Sequence, residues 1–337
     1  MFNKKPFFIA EISANHAGSI TRAFKLIKIA KKYGADAVKL QTYTADTMTI
    51  NCNNKYFKIK DGLWKNKNLW KLYDEAKTPL EWHSKLFNFA KKIKIPIFST
   101  PFDETAVDFL EKLKTPYYKI SSFEMNDVLL IKKVASTGKP IIISTGMANL
   151  KEIEKAFNTA KKYSAKKISL LYCVSNYPSK INDFNMNNIR IMKKKFKCTI
   201  GFSDHSLDNR IAIAAVAAGA EIVEKHIALE NQKVGHDIKF SLKGKQIKKF
   251  REDIDAAYQL FRIEKFTREE KEKKLRIHRR SIFVVKDILK GEKFTKENIK
   301  VIRPGHGLEP THFKNVLGKR SKINIKRGNP LKEKIIY

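Results

Sequence analysis

Eight short runs rich in β-branched and aromatic residues recur between residues 7 and 227, separated by segments with helical periodicity. They are FFIAEIS (7–13), AVKLQTY (37–43), IPIFSTP (95–101), YYKISS (117–122), PIIISTG (140–146), ISLLYCV (168–174), TIGFSD (199–204) and EIVEKHI (221–227). Between them, stretches such as Thr21–Tyr33, Glu81–Lys92 and Leu207–Ala218 place apolar residues at i, i+3 and i+4, the spacing of one helical face. Short strands alternating with helices demand parallel βαβ units. Eight such units predict an α/β fold, a (β/α)8 TIM barrel over residues 1–262. The charged segment FTREEKEKKLRIHRR reads as a linker helix, with the linker spanning 263–280. Short apolar runs and Gly turns over 281–337 then predict a small β-rich domain.

Composition narrows the function. The 69 Lys and Arg outnumber the 34 Asp and Glu, for a net charge of +35, which raises a nucleic-acid or surface-binding protein as a reading of another class. A nucleic-acid binder gathers its charge on one face or tail. Here KKYGAD, KKIKIP, KKYSAKK and KKKFK scatter lysines over successive amphipathic segments, the pattern of solvated helix faces and ends. The expectation is therefore no nucleic-acid partner. No apolar run reaches the roughly 20 residues of a membrane span, and MFNKKPFFIAEIS lacks the features of a secretory signal. Cys52, Cys173 and Cys198 are few and widely spaced, which suits a reducing cytoplasm and neither a disulfide framework nor a Cys-rich zinc site.

The strand ends carry a second pattern. They finish on Glu11, Lys39 with Gln41, Thr100, Lys119 with Ser122, Ser144, Ser203 to His205, and Glu224 to His226. Ser or Thr at one strand end can cap the next helix. The same polar bias at strand after strand instead marks the C-terminal rim of a barrel, where chemistry is assembled. His205 and His226 fall at the ends of the seventh and eighth strands, which are neighbours in a barrel. Two neutral imidazoles leave open positions on a divalent metal, as a Lewis-acid site requires. Nitrogen ligands without a thiolate fit Mn or Mg weakly and Zn or Fe also.

The motifs IAEISANH (9–16), VKLQTYT (38–44), FSTPFD (98–103), YKISSFE (118–124), ISTGMA (143–148), FSDHSLDN (202–209) and VEKHI (223–227) run in order along the chain. In these it resembles the sialic acid synthase family, whose members follow the barrel with an antifreeze-like (SAF) domain. TADTMTINCNNKYFKIKDGLW (44–64), LYDEAKTPLEWH (72–83), SSFE (121–124) and RPGHGLEP (303–310) resemble the pseudaminic acid branch, which carries a longer second strand-to-helix loop.

The resemblance implies a phosphoenolpyruvate-dependent, nonulosonic (sialic-type) acid synthase, a transferase that is metal-dependent and cytoplasmic. The acceptor expected is 2,4-diacetamido-2,4,6-trideoxy-L-altrose, with N-acetylneuraminic or legionaminic acid synthesis as the alternative. It implies His205 and His226 as metal ligands, commonly for Mn2+, with Mg2+ or another divalent ion also accommodated. Lys39, Thr100, Lys119, Ser122, Ser144, Ser175 and Ser203 are implied to bind phosphoenolpyruvate, although Asn takes the place of Ser175 in some relatives. Glu11 and Glu224 are the implied catalytic carboxylates. Gln41, Glu124, Tyr177 and Asp237 are implied to contact the acetamido sugar. His236 stands where relatives often have Pro, which leaves its role open. Arg303 is implied to act in the partner's site within a domain-swapped homodimer.

Overall fold

All eight predicted runs form strands, each hydrogen-bonded in parallel to the next: β1 (Phe7–Glu11), β2 (Ala37–Thr42), β3 (Ile97–Pro101), β4 (Tyr118–Ile120), β5 (Ile141–Ser144), β6 (Ile168–Cys173), β7 (Thr199–Asp204) and β8 (Ile222–Ala228). Ile9 of β1 sits opposite Ala37 of β2 on one side and Glu224 of β8 on the other. The sheet therefore closes on itself as a TIM-like barrel and leaves no edge. The computed structural model describes residues 5–261, 263 and 265–337.

One helix follows each strand: α1 (Ile20–Lys32), α2 (Leu80–Lys92), α3 (Glu104–Lys112), α4 (Val128–Ala135), α5 (Leu150–Lys162), α6 (Asn187–Phe196), α7 (Asn209–Ala217) and α8 (Lys245–Phe261). Local chemistry sets their ends. Ser19, Asp103, Asp127, Asn149 and Asp208 accept backbone N–H bonds as N-caps, relieving donors that the first turn cannot satisfy. Lys31 and Lys32, Lys91 and Lys92, Lys161 and Lys162, and Lys193 to Lys195 occupy last turns, where the helix dipole favours cations. Part of the lysine excess thus sits on solvated helix ends distributed around the barrel.

Inside the barrel, Ile9, Ala37, Phe98, Ile142, Leu171 and Ile222 form one apolar layer. Strand side chains alternate between faces, so the residue two positions further on also points inward. Those residues are Glu11, Lys39, Thr100, Ser144, Cys173 and Glu224, all buried. The apolar layer is a plug, and a polar layer rests on it toward the C-terminal ends of the strands. Between β2 and α2 the chain makes a long excursion that includes two short helices, Ala45–Met48 and Leu69–Ala76. After β8, the two-residue strand β9 (Leu242–Lys243) pairs with Ile227 and Ala228.

The second unit, Ile263–Tyr337, has its own core of Ile282, Val284, Ile288, Phe294, Ile299, Val316, Ile325, Leu331 and Ile336. Its paired strands β10 (Ser281–Val284) and β11 (Ile299–Ile302) run antiparallel. Short helical turns such as Phe313–Val316 and isolated bridges complete the unit. The expected linker helix is only the short helix Glu270–Lys274 followed by a 3-10 turn at Leu275–His278. Those residues are exposed, and a short helix with no apolar face to bury gains too little to offset its nucleation cost.

Gly201 lies at the plug level on β7, and a Cβ there would come within 2.5 Å of Leu171 Cδ2 and 2.6 Å of the Ile222 carbonyl oxygen. Gly201→Ala is expected to destabilise the barrel by about 1–3 kcal/mol through overpacking. The result would be a lower urea midpoint with an unchanged slope.

Candidate active site

The polar layer is an ion cluster. Lys39 on β2 reaches Glu11 on β1 at 2.6 Å and Glu224 on β8 at 3.0 Å. Lys119 on β4 donates to the same Glu224 oxygen at 3.2 Å, and the Ser203 hydroxyl of β7 donates to it at 3.1 Å. Glu11 also accepts the Ser13 N–H at 2.6 Å. Two carboxylates and two ammonium groups so deep in the barrel can stay charged only because they face one another.

Their protonation follows from that arrangement. Burial raises Glu11 to about 7, with Lys39 opposing the rise and Glu224 adding to it. Burial works the same way on Glu224, but Lys119 and Lys39 outweigh it and hold that carboxyl below the ordinary range. Lys39 is held above the usual ammonium range because Glu11 and Glu224 overcome its burial. Lys119 falls below that range, driven by burial and by the repulsion of Lys39 against the attraction of Glu224. Glu224 is thus held as an anion by both lysines, while burial and the neighbouring Glu224 push Glu11 toward its neutral form.

His205 and His226 face each other with ring centroids 5.5 Å apart. His205 Nδ1 lies 2.9 Å from the Val174 carbonyl oxygen, which can only accept, so Nδ1 carries the proton and the Nε2 lone pair is free. Burial lowers His205 to about 4. Burial, helped by His205 and Lys39, also keeps His226 well below its usual range. Both rings are therefore neutral at pH 7, the form that ligates a metal. His226 Nδ1 is buried without a hydrogen-bond partner, and the nearest carboxylate oxygen, on Asp237, is 3.8 Å away. Among the described residues no group of three or more His, Cys, Asp or Glu gathers to hold an ion. Two neutral, facing imidazoles, one with an orphaned nitrogen, fit a divalent cation whose other ligands come from substrate or water.

Asp204, next to His205, turns the other way. By alternation it points outward with Lys225 of β8, and the two form a buried ion pair at 2.9 Å. Lys225 also bonds the Ser206 carbonyl, and Asp204 accepts the Ser206 N–H at 2.8 Å. This pair pins the turn that carries His205, a role that nothing in the strand-end pattern singles out.

A cavity of about 340 Å³ opens above the cluster. It brings together the four residues expected at the sugar: Gln41, Glu124, Tyr177 and Asp237. Ser122 and Ser175 line it as well, their hydroxyls 3.1 Å apart. Thr100 and Ser144 lie buried at the ends of β3 and β5, and the Thr100 hydroxyl lacks a partner. His236 does not join His205 and His226 as a ligand set; its Nε2 faces Glu75 Oε2 at 3.8 Å. Arg303 is exposed on the second unit.

Other residues at the site went unnoticed in the sequence. Trp64 and Tyr73 come from the long loop after β2, and Phe240 packs on both imidazoles. Gly146 has φ +47°, and a Cβ there would lie 2.5 Å from that of Ser122. A glycine in the ISTGMA segment was a visible signal, whereas an aromatic in a loop gives none.

Profile comparison matches the NeuB family to residues 26–265 and the SAF domain to residues 279–334. The chain belongs to the NeuB family. Within that family it is 43% identical to the pseudaminic acid synthase of Campylobacter jejuni, over 98% of this chain and 96% of that protein. It is 36% identical to the N,N'-diacetyllegionaminic acid synthase of the same organism, over 98% of this chain and all (100%) of that protein. Among solved structures, an N-acetylneuraminic acid (sialic acid) synthetase from Leptospira borgpetersenii superposes with a TM-score of 0.73 at 30% identity, covering 81% of this chain and 90% of that one.

Two outcomes follow for this NeuB-family barrel. Lys225→Met leaves the Asp204 carboxylate buried and alone, which is expected to cost about 3–5 kcal/mol and to lower the thermal midpoint accordingly. His16 is buried against Trp82 at a centroid distance of 5.4 Å, and burial, with Arg22, lowers it to about 4. Between its usual value of 6.5 and about 4, the unfolded chain binds a proton that the folded chain refuses, so stability falls as pH falls through that window. His16→Gln should therefore lose less thermal stability than the wild type between pH 7 and pH 5.

Proposed function

We propose that this chain condenses phosphoenolpyruvate with 2,4-diacetamido-2,4,6-trideoxy-L-altrose and water to give pseudaminic acid and phosphate. The observation that carries this reading is the buried Glu11–Lys39–Glu224–Lys119 cluster beneath a sugar-sized cavity, in a chain 43% identical to a pseudaminic acid synthase. Lys39 and Lys119 take up the charge of the phosphate and carboxylate of phosphoenolpyruvate, with hydroxyls from Thr100, Ser122, Ser144, Ser175 and Ser203 completing the anion's shell. Glu224 holds both lysines in place and keeps them charged.

His205 and His226 would hold a divalent cation, for which manganese is our assignment, and which supplies Lewis acidity toward the sugar's C1 carbonyl. Gln41, Glu124, Tyr177 and Asp237 orient the open-chain sugar so that C3 of phosphoenolpyruvate bonds to C1. Glu11 stands beside the reacting carbons, takes a proton from the water that adds at C2, and passes it to the oxygen left on C1. The bond between C2 and the phosphate oxygen then breaks as the C2 hydroxyl gives its proton to the departing phosphate, leaving the C2 ketone. We assign Arg303 to the sugar of a second copy, in a homodimer in which each small domain serves its partner's barrel. Among the described residues no helix is long and apolar enough to cross a membrane, and the three cysteines are free, which supports a cytoplasmic reaction.

The 36% identical legionaminic acid synthase motivates the second reading, and a sugar panel separates the two. In a phosphate-release assay with manganese, phosphate should appear one-for-one with a nine-carbon 2-keto acid, only when the diacetamido sugar is present. Chelation should abolish turnover, and so should combining His205→Ala with His226→Ala. Unchanged turnover by chelated enzyme, or phosphate release independent of any sugar, would sink the proposal.

A further inference from the structure

The cavity is chemically lopsided. Its floor is strand-borne and polar, with His226 in β8 and Gln41 in β2. The wall contributed by the loop between β2 and α2 is different: Met48, Ile59, Trp64, Leu69, Leu72 and Tyr73. Apart from the Trp64 indole N–H and the Tyr73 hydroxyl, those side chains offer no hydrogen-bonding hydrogen or oxygen. The wall is also anchored. Tyr73 packs edge-on against Tyr43 at 5.9 Å, Tyr43 against Phe102 at 5.1 Å, and Trp70 donates to Asp46 at 2.7 Å.

Ring contacts link this wall to the imidazoles: the Tyr177 ring centroid lies 4.4 Å from that of His205 and 5.9 Å from that of Trp64. An open-chain sugar whose C1 lies beside His205 and His226 fills the rest of the cavity, of which this wall is one side. A hydroxyl delivered to the Leu69 and Leu72 side chains meets apolar surface and gives up its water without a replacement.

We infer that the wall formed by Trp64, Leu69 and Leu72 is the specificity determinant that selects an acceptor sugar ending in a methyl group over one ending in a hydroxymethyl group. The inference rests on the synthase reading above and adds to it the residues that recognise the deoxygenated end.

The test compares kcat/KM for a 2,4-diacetamido-2,4,6-trideoxyhexose and its 6-hydroxy counterpart. An apolar pocket discriminates against an added hydroxyl by roughly 10- to 100-fold, and the wild type should show a preference of that order. Trp64→Ser and Leu69→Asn should each shrink the preference by about 10-fold, with the KM for phosphoenolpyruvate unchanged. Trp64→Phe should retain it. Equal kcat/KM for the two sugars in the wild type overturns the inference and leaves the synthase reading intact. So does a full preference persisting in Leu69→Asn of wild-type melting temperature, whatever the fate of Trp64→Ser. Failure of the wild type to release phosphate with either sugar counts instead against the synthase reading, and with it against this one.

Discussion

In a closed parallel barrel the period of two along each strand is not negotiable. Whatever residue follows an inward side chain by two positions must itself face the interior, with no solvent face to escape to. In this chain the rule carries the interior from Ile9, Ala37, Ile142 and Ile222 to Glu11, Lys39, Ser144 and Glu224. The plug and the reactive layer are two levels of the same strands. The cluster of Glu11, Lys39, Lys119 and Glu224 is therefore positioned by the hydrogen-bond ladder itself and not by loops.

That placement creates an electrostatic problem which the residues solve jointly. Each of Glu11, Lys39, Lys119 and Glu224 would be costly to bury alone. Glu224 accepts from both lysines, and Lys39 bridges both carboxylates. The pairings hold Glu224 and Lys39 charged before any substrate arrives, so that little reorganisation is left for the moment of reaction. On the outer face of the same strand ends, Asp204 and Lys225 repeat the solution in a pair of their own.

Much of this was legible from the residues. β-branched runs at regular intervals specify the strands, and polar strand ends specify the rim, because barrel geometry gives both patterns one cause. Spacing places His205 and His226 on adjacent strands, and the fold brings their rings together. Three features were not legible. Alternation turns Asp204 outward, but its partner Lys225 lies on another strand, and spacing along the chain does not show that the two meet. The wall formed by Trp64 and Tyr73 depends on the path of a long excursion: cap residues such as Thr44 and Asn68 mark where its short helices start, not where they fold. The linker helix is shorter than its composition suggests: its exposed residues form one α-helical turn and a 3-10 turn, Glu270–Lys274 and Leu275–His278.

The long loop after β2 has one more consequence. The strands carry the ionisable groups, while one insertion, which no strand pairing requires, carries the wall of the cavity. Reactivity and molecular taste are therefore written in separate stretches of the chain. Descendants of such a barrel are free to exchange or reshape that insertion and acquire a new diet without disturbing the chemistry beneath it.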